Sequence, residues 1–459
     1  MSVPAETTAA APMLSPATRR FAYLLIIAVA AGINFARIVT VSKYYAPARQ
    51  AGKWPPTSPL LSANDRSRWD TVWSLVERGT YQIDDILEQP NWGTIDKVKL
   101  GNHIYSSKPP FLSTLVAGVY WVVRHTLGWD LLTQTDAVVH LILLIVNLLP
   151  MLAMLWVLSR LVDRYAQSDI TRLSIVVCAA FGTLLTPFLI TLNNHTPAAQ
   201  ALVFALYPAM RIWIDRSESR WHYAGVGFWS ACVVCCELPA ALFGLALLVL
   251  LFVRSRVRTL LCFVPAALLP IGFFLATNYI ATGGLTPVYS KFGTEAYNFD
   301  YKGKQSYWVN PKGIDKGGDS PPVYLMHCTV GHHGILSLSP IFLLSVAGWT
   351  FVLRRSSLQV WLALALALTV AVLAFYLMQT KSYNYGGVSC GLRWGFWLIP
   401  LWLVSMIPTL DAWGEHPAIR WVTAALLAAS VVSATLPSAN PWQHPWLFNL
   451  LEQAGWIRY

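Results

Sequence analysis

Few residues in this chain could do chemistry, and the most suggestive lie in one polar stretch. Asn64-Asp65-Arg66-Ser67-Arg68-Trp69 is followed, in the same loop, by Gly101-Asn102-His103-Ile104-Tyr105-Ser106-Ser107-Lys108-Pro109-Pro110, where the chain turns apolar again. A carboxylate stands near the start of this loop, and a lysine stands at the point of re-entry. Acid and base so placed suit a reaction at a water–lipid boundary, which points to a membrane enzyme.

Four further groups of polar residues stand out against the apolar background. Asn193-Asn194-His195-Thr196-Pro197-Ala198 either supplies His195 to a site or forms a polar turn that caps the following helix. Glu237 sits between Cys236 and Leu238-Pro239, so it is either a buried functional acid or part of a turn open to water. His327, His332 and His333 form a cluster that could hold a metal, bind substrate by hydrogen bonds or serve structure. In Asn384-Tyr385-Gly386-Gly387-Val388-Ser389-Cys390-Gly391-Leu392-Arg393 the glycines let backbone approach an anion, and Arg393 could fork two phosphate oxygens. The alternative for Arg393 is an anchor at the membrane interface.

The elements that must position these groups follow from composition. With 55% hydrophobic and 12% charged residues, the chain has too much apolar surface for a soluble core, so it reads as an all-α polytopic membrane protein. Apolar runs at residues 21–41, 136–159, 172–192, 196–214, 222–236, 239–253, 259–281, 334–353, 358–378, 393–410 and 419–436 predict about 11–13 transmembrane helices, at roughly 20 residues for a full crossing. Residues 222–253 are divided at Glu237-Leu238-Pro239 into a hairpin of two short helices. Residues 109–133 are expected to dip into the bilayer and return, or to form two short pieces.

The net charge of +11 does not indicate a nucleic-acid partner, because the arginines fall in short clusters between spans. Arg160/Arg164, Arg211/Arg216/Arg220, Arg254/Arg256/Arg258 and Arg354/Arg355 instead follow the positive-inside pattern. That assignment puts the loops 42–108 and 282–333 on the external face, together with the connections at Asn193, Glu237 and Lys381 to Arg393. The first 20 residues are Ala/Thr/Pro-rich and read as a disordered cytoplasmic N-terminus, residues 21–436 as the membrane domain, and 437–459 as a C-terminal tail. Residues 21–41 are too long for a signal-peptide core and read as a retained span.

In the first loop, Trp69, Val72, Trp73 and Val76 recur at helical spacing, with Gly79 as the stop. They predict an amphipathic juxtamembrane helix whose aromatic face seats in the interface and holds Asp65 at a fixed depth. Of the seven cysteines, Cys232, Cys235 and Cys236 read as small hydrophobes. Cys328 and Cys390 both fall in external loops, either as a disulfide or as two free thiols. No Walker-type glycine loop, HExxH or GxSxG is present, which argues against ATP-driven transport and zinc-protease or serine-hydrolase chemistry.

Asp65 through Tyr81 and Gly101 through Pro110 together resemble the opening of the GT-C glycosyltransferases, and most closely the protein O-mannosyltransferase and aminoarabinose transferase group. The resemblance is specific over about 50 residues and is extended over most of the chain by hydropathy. It implies that Asp65 is the catalytic base and that Lys108 binds the donor phosphate. This chain departs from the family at Arg66 and Ser107, where the family often has acids, and at Ala198, where it has the aspartate of a Thr-Pro-Asp element. The Gly-Gly-x-Ser-x-Gly-x-Arg run ending at Arg393 is similar to an element of related bacterial membrane glycosyltransferases.

The resulting expectation is transfer of a sugar from a polyprenyl-phosphate donor to a lipid, glycan or protein acceptor at the outer face of a cytoplasmic membrane. Asp65 would be the base and Lys108 with Arg393 the phosphate clamp. Arg68, Tyr105, His195, Glu237, His327, His332, His333 and Tyr385 would be further substrate contacts. No cofactor is required by the residues, although a divalent cation is compatible with them. The rivals are a transporter or flippase for a lipid-linked sugar, using the same cations without breaking a bond, and a membrane scaffold whose loops bind a partner.

Overall fold

A computed structural model describes residues 14–42, 57–354, 356–378 and 384–459. Residues 1–13, 43–56, Arg355 and 379–383 lie outside it, and with them parts of the expected N-terminal segment, the first loop and the connection at Lys381. The protein is an all-α polytopic membrane protein, and among the described residues six helices are long and apolar enough to cross a membrane. These are Pro16–Thr40 (α1), Thr135–Tyr165 (α4), Arg256–Thr282 (α9), Gln359–Leu377 (α12), Arg393–Trp413 (α13) and Pro417–Thr435 (α14). Between them lie Ala63–Glu77 (α2), Pro110–Leu127 (α3), Asp169–Phe181 (α5), His195–Trp213 (α6), Arg220–Cys236 (α7), Leu238–Arg254 (α8), Pro321–Thr329 (α10) and Pro340–Leu353 (α11). A last helix, Trp446–Gln453 (α15), packs Phe448 into the core, so the expected C-terminal tail is part of the bundle.

Several expected boundaries shift, each for a local reason. α1 starts at Pro16, ahead of the expected 21, because the Ser15 hydroxyl accepts from Thr18 N and Arg19 is held by Asp163 and by Asp169 at 3.2 Å. Within 109–133, Pro110–Leu127 form one continuous helix of 18 residues ended by Gly128 at φ 70°, neither a dip nor two pieces. The expected span 172–192 ends at Phe181, and residues 183–193 run as a wholly buried irregular segment. That segment survives inside the protein because Asn147, in a π-helical turn of α4, donates to Leu189 O at 2.9 Å and Thr191 O at 3.0 Å. Close helix crossings depend on glycine: a Cβ on Gly227 of α7 would stand 2.2 Å from the Phe263 carbonyl oxygen of α9.

The largest correction concerns α2. The positive φ of Gly79 just beyond it matches expectation, and a capping box of Ser62 and Asp65, not foreseen, starts it. Its aromatic face is not seated in lipid, however. Trp69, Val72 and Trp73 are within the core, and Asn64, Asp65, Ser67, Arg68, Asp70, Thr71 and Ser74 are buried as well. The polar residues that suggested an aqueous face are covered by protein, chiefly the hairpin Lys97–Leu100 (β1) and His103–Ser106 (β2) and helix α3. Gly101 at φ 60° opens the two-residue turn of that hairpin. Val98 then packs on Val288 and Tyr297, joining the two long loops.

Charged residues collect at the two opposite ends of the bundle. At one end Arg164 and Arg211 hold Asp215, at 2.5 and 2.7 Å, while Arg258 holds Glu218 at 2.7 Å. At the other end lie Lys108, Glu237 and Arg393. Helix α6 runs between them, from His195 to Arg211 and beyond, a 19-residue element about 28 Å long at ~1.5 Å per residue. Single cysteines at Asn102 and Lys312 should therefore react with a membrane-impermeant thiol reagent from one side, and at Glu218 and Glu415 from the other, in a background lacking native cysteines. Labelling of Asn102→Cys and Lys312→Cys from opposite sides would break the one-ended site.

Candidate active site

Four polypeptide segments carry most of the site at one end of the bundle, joined by Glu237, Asp315 and Trp442 from elsewhere in the chain. The first is the N-terminal half of α2. Arg68 donates through Nη1 to the Asn64 carbonyl at 2.9 Å and to its side chain, and through Nη2 to Asn194 Oδ1. The second is the base of the hairpin. Ser67 Oγ donates to Asp96 O at 2.5 Å, Ser107 N donates to the same oxygen at 3.1 Å, and Lys108 N bonds Ser106 Oγ at 3.1 Å. That mesh sets Lys108 Nζ 3.0 Å from the Asp96 carboxylate.

The third segment is the turn into α6. Asn193 caps the helix, its Oδ1 accepting from Thr196 N at 2.9 Å and from Thr196 Oγ1 at 3.1 Å. Capping therefore belongs to Asn193, which frees its two neighbours. Asn194 Nδ2 donates to Glu237 Oε1 at 2.7 Å and to Cys236 O at 3.0 Å, and His195 Nδ1 bonds Glu237 Oε1. Glu237 is 6% exposed, so the turn between α7 and α8 is not open to water.

The fourth segment is the glycine-rich run. Tyr385, Gly386 and Gly387 all have positive φ, at 63°, 98° and 71°, and the chain wraps Arg393 so that its Nε donates to Gly386 O at 2.7 Å. A Cβ on Gly386 would stand 3.0 Å from Arg393 Cγ. Arg393 Nη1 reaches His195 Nε2 at 2.9 Å, and the guanidinium lies over the Trp442 ring, 5.2 Å from its centroid. Asp315 closes this side, accepting from Tyr307 OH at 2.9 Å and from Asn384.

Three cations thus converge with acids interleaved. Burial lowers Lys108 to about 8, with Arg68 and Arg393 pushing the same way and Asp96 opposing. Burial and then Arg393 lower Arg68 to about 10. Burial raises the Asp315 carboxyl. Cations that repel one another at a partly dry surface are relieved by an anion, and planar Arg forks beside a Lys match phosphate oxygens. A cavity of about 740 Å³ is lined by Arg160, Asp163, Arg164 and Asp215 at the other end of the bundle, away from this chemistry.

Of the expected site residues, Arg68, Lys108, His195, Glu237 and Arg393 come together. Asp65 adjoins them but presents no free oxygen. It is fully buried; Oδ1 accepts from Ser62 N at 2.7 Å, Ser62 Oγ at 2.9 Å and Arg66 N at 3.0 Å, and Oδ2 accepts from Leu61 N and Thr191 Oγ1, both at 3.0 Å. This corrects the expectation of a carboxylate open to an acceptor: as the N3 residue of a capping box its lone pairs are taken. Tyr105 lies against the Val98 cluster of the hairpin. His327, His332, His333 and Tyr385 form a separate aromatic cluster, with His332 Nε2 2.9 Å from Tyr459 OH and Tyr385 OH donating to Asp319 at 2.6 Å. Among the described residues no group of three His, Cys, Asp or Glu side chains is arranged to hold a metal ion.

Cys328 and Cys390 are both free and buried, which corrects the disulfide alternative. Cys390 N is tied to Pro441 O at 2.9 Å, while Cys328 belongs to α10. Non-reducing peptide mapping should recover both as free thiols. Residues missed in the sequence are Asp96, Asn194 as a bridge, Asp315 and Trp442. Thr94-Ile95-Asp96 carried a turn signal, since Thr94 Oγ1 accepts from Asp96 N at 3.0 Å; Trp442 gave none.

No family model matches this chain, and no curated protein matches it. Among solved structures it is similar to the Archaeoglobus fulgidus oligosaccharyltransferase in complex with zinc and sulfate, at 14% identity and TM-score 0.47, over 92% of this chain and 53% of that one. The same archaeal enzyme in complex with an inhibitory peptide and a dolichol-phosphate matches at 10% identity and TM-score 0.47, over 93% of this chain and 57% of that one. The chain spans just over half the length of these proteins.

Proposed function

We propose that this protein is a GT-C-type glycosyltransferase that moves a sugar from a polyprenyl-phosphate donor to an acceptor at the external face of the cytoplasmic membrane. The observation that carries the reading is the convergence of Arg68, Lys108 and Arg393 at one end of an apolar bundle. Lys108 lies two residues before α3, whose Leu115, Trp121 and Val122 are exposed. A lipid tail lying along that face stays in the bilayer while its phosphate reaches the three cations.

In this reading the acceptor hydroxyl attacks the anomeric carbon as the bond to the phosphate oxygen breaks, inverting that centre. Lys108, Arg393 and Arg68 neutralise the charge gained by the departing lipid phosphate, a contribution of several kcal/mol in a low-dielectric site. Asp65 belongs to the scaffold: Thr191 Oγ1, which donates to it, accepts from Trp442 Nε1 at 2.9 Å, and Trp442 floors Arg393. Purified protein supplied with radiolabelled polyprenyl-phosphate sugars and native membrane extract should release lipid phosphate and label one acceptor class. Movement of intact labelled lipid between leaflets, with no phosphate released, would replace this reading with the flippase.

The position of Lys108 makes donor binding pH-dependent. A lysine lowered to about 8 is charged below that pH and neutral above it, so phosphate contact is strong below about pH 8 and fades above it. Donor affinity should fall several-fold between about pH 7 and about pH 9.5. Lys108→Arg, charged throughout, should flatten that curve. An equally flat curve in the wild type would remove Lys108 from the phosphate site.

A further inference from the structure

The pairing of His195 with Glu237 has a chemical consequence that rests on the transfer reading. His195 is 2% exposed, and its ring packs edge-on against the contacting pair Phe188 and Phe396. A guanidinium only donates, so the 2.9 Å contact from Arg393 Nη1 requires a lone pair on His195 Nε2. The neutral ring then carries its proton on Nδ1, where Glu237 Oε1 receives it. Asn194 Nδ2 donates to that same Glu237 oxygen, so the carboxylate is fixed as well. The tautomer is set from both sides: acid behind, lone pair in front.

The nearby carboxylates are otherwise engaged. Asp65 has no free lone pair, Asp96 is paired with Lys108 at 3.0 Å, and Asp315 is held by Tyr307 and Asn384. His195 Nε2, like Asp96, is partnered by a cation for which a phosphate competes, but His195 alone has an acid, Glu237, behind it to stabilise the proton it would take. Arg393 Nε is anchored on Gly386 O, which leaves the far edge of the guanidinium to turn toward an anion.

We propose that His195 is the general base of the transfer, that Glu237 is its positioning residue, and that donor binding releases the base by drawing Arg393 onto the phosphate. The acceptor hydroxyl takes the place of the Arg393 N–H on Nε2. As its oxygen bonds to the anomeric carbon, its proton passes to Nε2 and the carbon–oxygen bond to the phosphate breaks, with the electron pair leaving on the lipid phosphate. Glu237 stabilises the imidazolium, and Arg393, Lys108 and Arg68 stabilise the phosphate. The charged groups facing His195 are these same four: Glu237 from the α7–α8 turn, Arg393 from α13, Arg68 from α2 and Lys108 from just before α3.

The test is the pH dependence of kcat for release of lipid phosphate, with radiolabelled undecaprenyl-phosphate sugars and native membrane extract as acceptor source. Wild-type kcat should fall on the acidic side as His195 gains its proton. His195→Gln should lower kcat about 10²–10⁴-fold and remove that limb, with donor affinity within about threefold of wild type. Glu237→Gln should lower kcat less and displace the limb, as fits a group acting through its neighbour. A folded His195→Gln protein with wild-type kcat would overturn the proposal, as would Glu237→Gln with an unmoved limb. Burial and the neighbouring cations hold the His195 imidazolium pKa well below its ordinary value, so, should neither variant fold, a wild-type kcat with no acidic limb down to about pH 4 would overturn it. A wild type that releases no lipid phosphate from any sugar donor defeats the transfer reading itself, a result distinct from turnover without a histidine.

Discussion

Arg393→Ala is expected to reduce sugar transfer by about 10²–10³-fold, the largest catalytic effect of any single change outside the His195 pair. The residue makes three contacts at once: Nε to Gly386 O at 2.7 Å, Nη1 to His195 Nε2 at 2.9 Å, and its cation over Trp442. Truncation removes a charge facing the phosphate and empties the loop that Gly386 and Gly387 shape around it. Arg393→Lys should restore only part of the loss, since an ammonium cannot fork two oxygens while anchored to a carbonyl. Equilibrium binding of a labelled donor, measured beside turnover, should show weaker affinity as well as a lower kcat. Unchanged donor binding in a folded alanine variant would exclude Arg393 from the phosphate clamp.

Asp65→Ala is expected to act on stability. Its carboxylate accepts from Leu61 N, Ser62 N, Ser62 Oγ, Arg66 N and Thr191 Oγ1, all in a fully buried setting. Losing the cap costs about 1 kcal/mol, and each buried donor left without an acceptor about 1–3 kcal/mol. A total of about 2–5 kcal/mol follows after partial relaxation, read as a drop of several degrees in thermal unfolding in detergent. Asp65→Asn should lose less, because one oxygen remains to accept. A stable, folded Asp65→Asn protein without turnover would return Asp65 to the role of base.

The sequence by itself determined the class of the molecule. Continuous apolar runs of about 20 residues satisfy their backbone in a bilayer as helices, and the spans at 259–281, 358–378, 393–410 and 419–436 come within a few residues of α9, α12, α13 and α14. It also named Arg68, Lys108, His195, Glu237 and Arg393, within a longer set in which Tyr105, His327, His332, His333 and Tyr385 lie apart from them. What it could not determine was which of these lone pairs were free. Asp65 and Arg68 lie three residues apart on one helix, yet Asp65 turns back to its own cap while Arg68 reaches across to Asn194. Helical spacing marked Trp69 and Trp73 as one face but carried no information on whether lipid or protein would cover it; the hairpin and α3 cover it. The Glu237–His195–Arg393 line joins residues from three segments far apart in the chain, and a hydrogen bond's direction depends on both partners. Only tertiary structure brings those partners together, so only it decides that His195 presents an accepting nitrogen where Asp65 presents none.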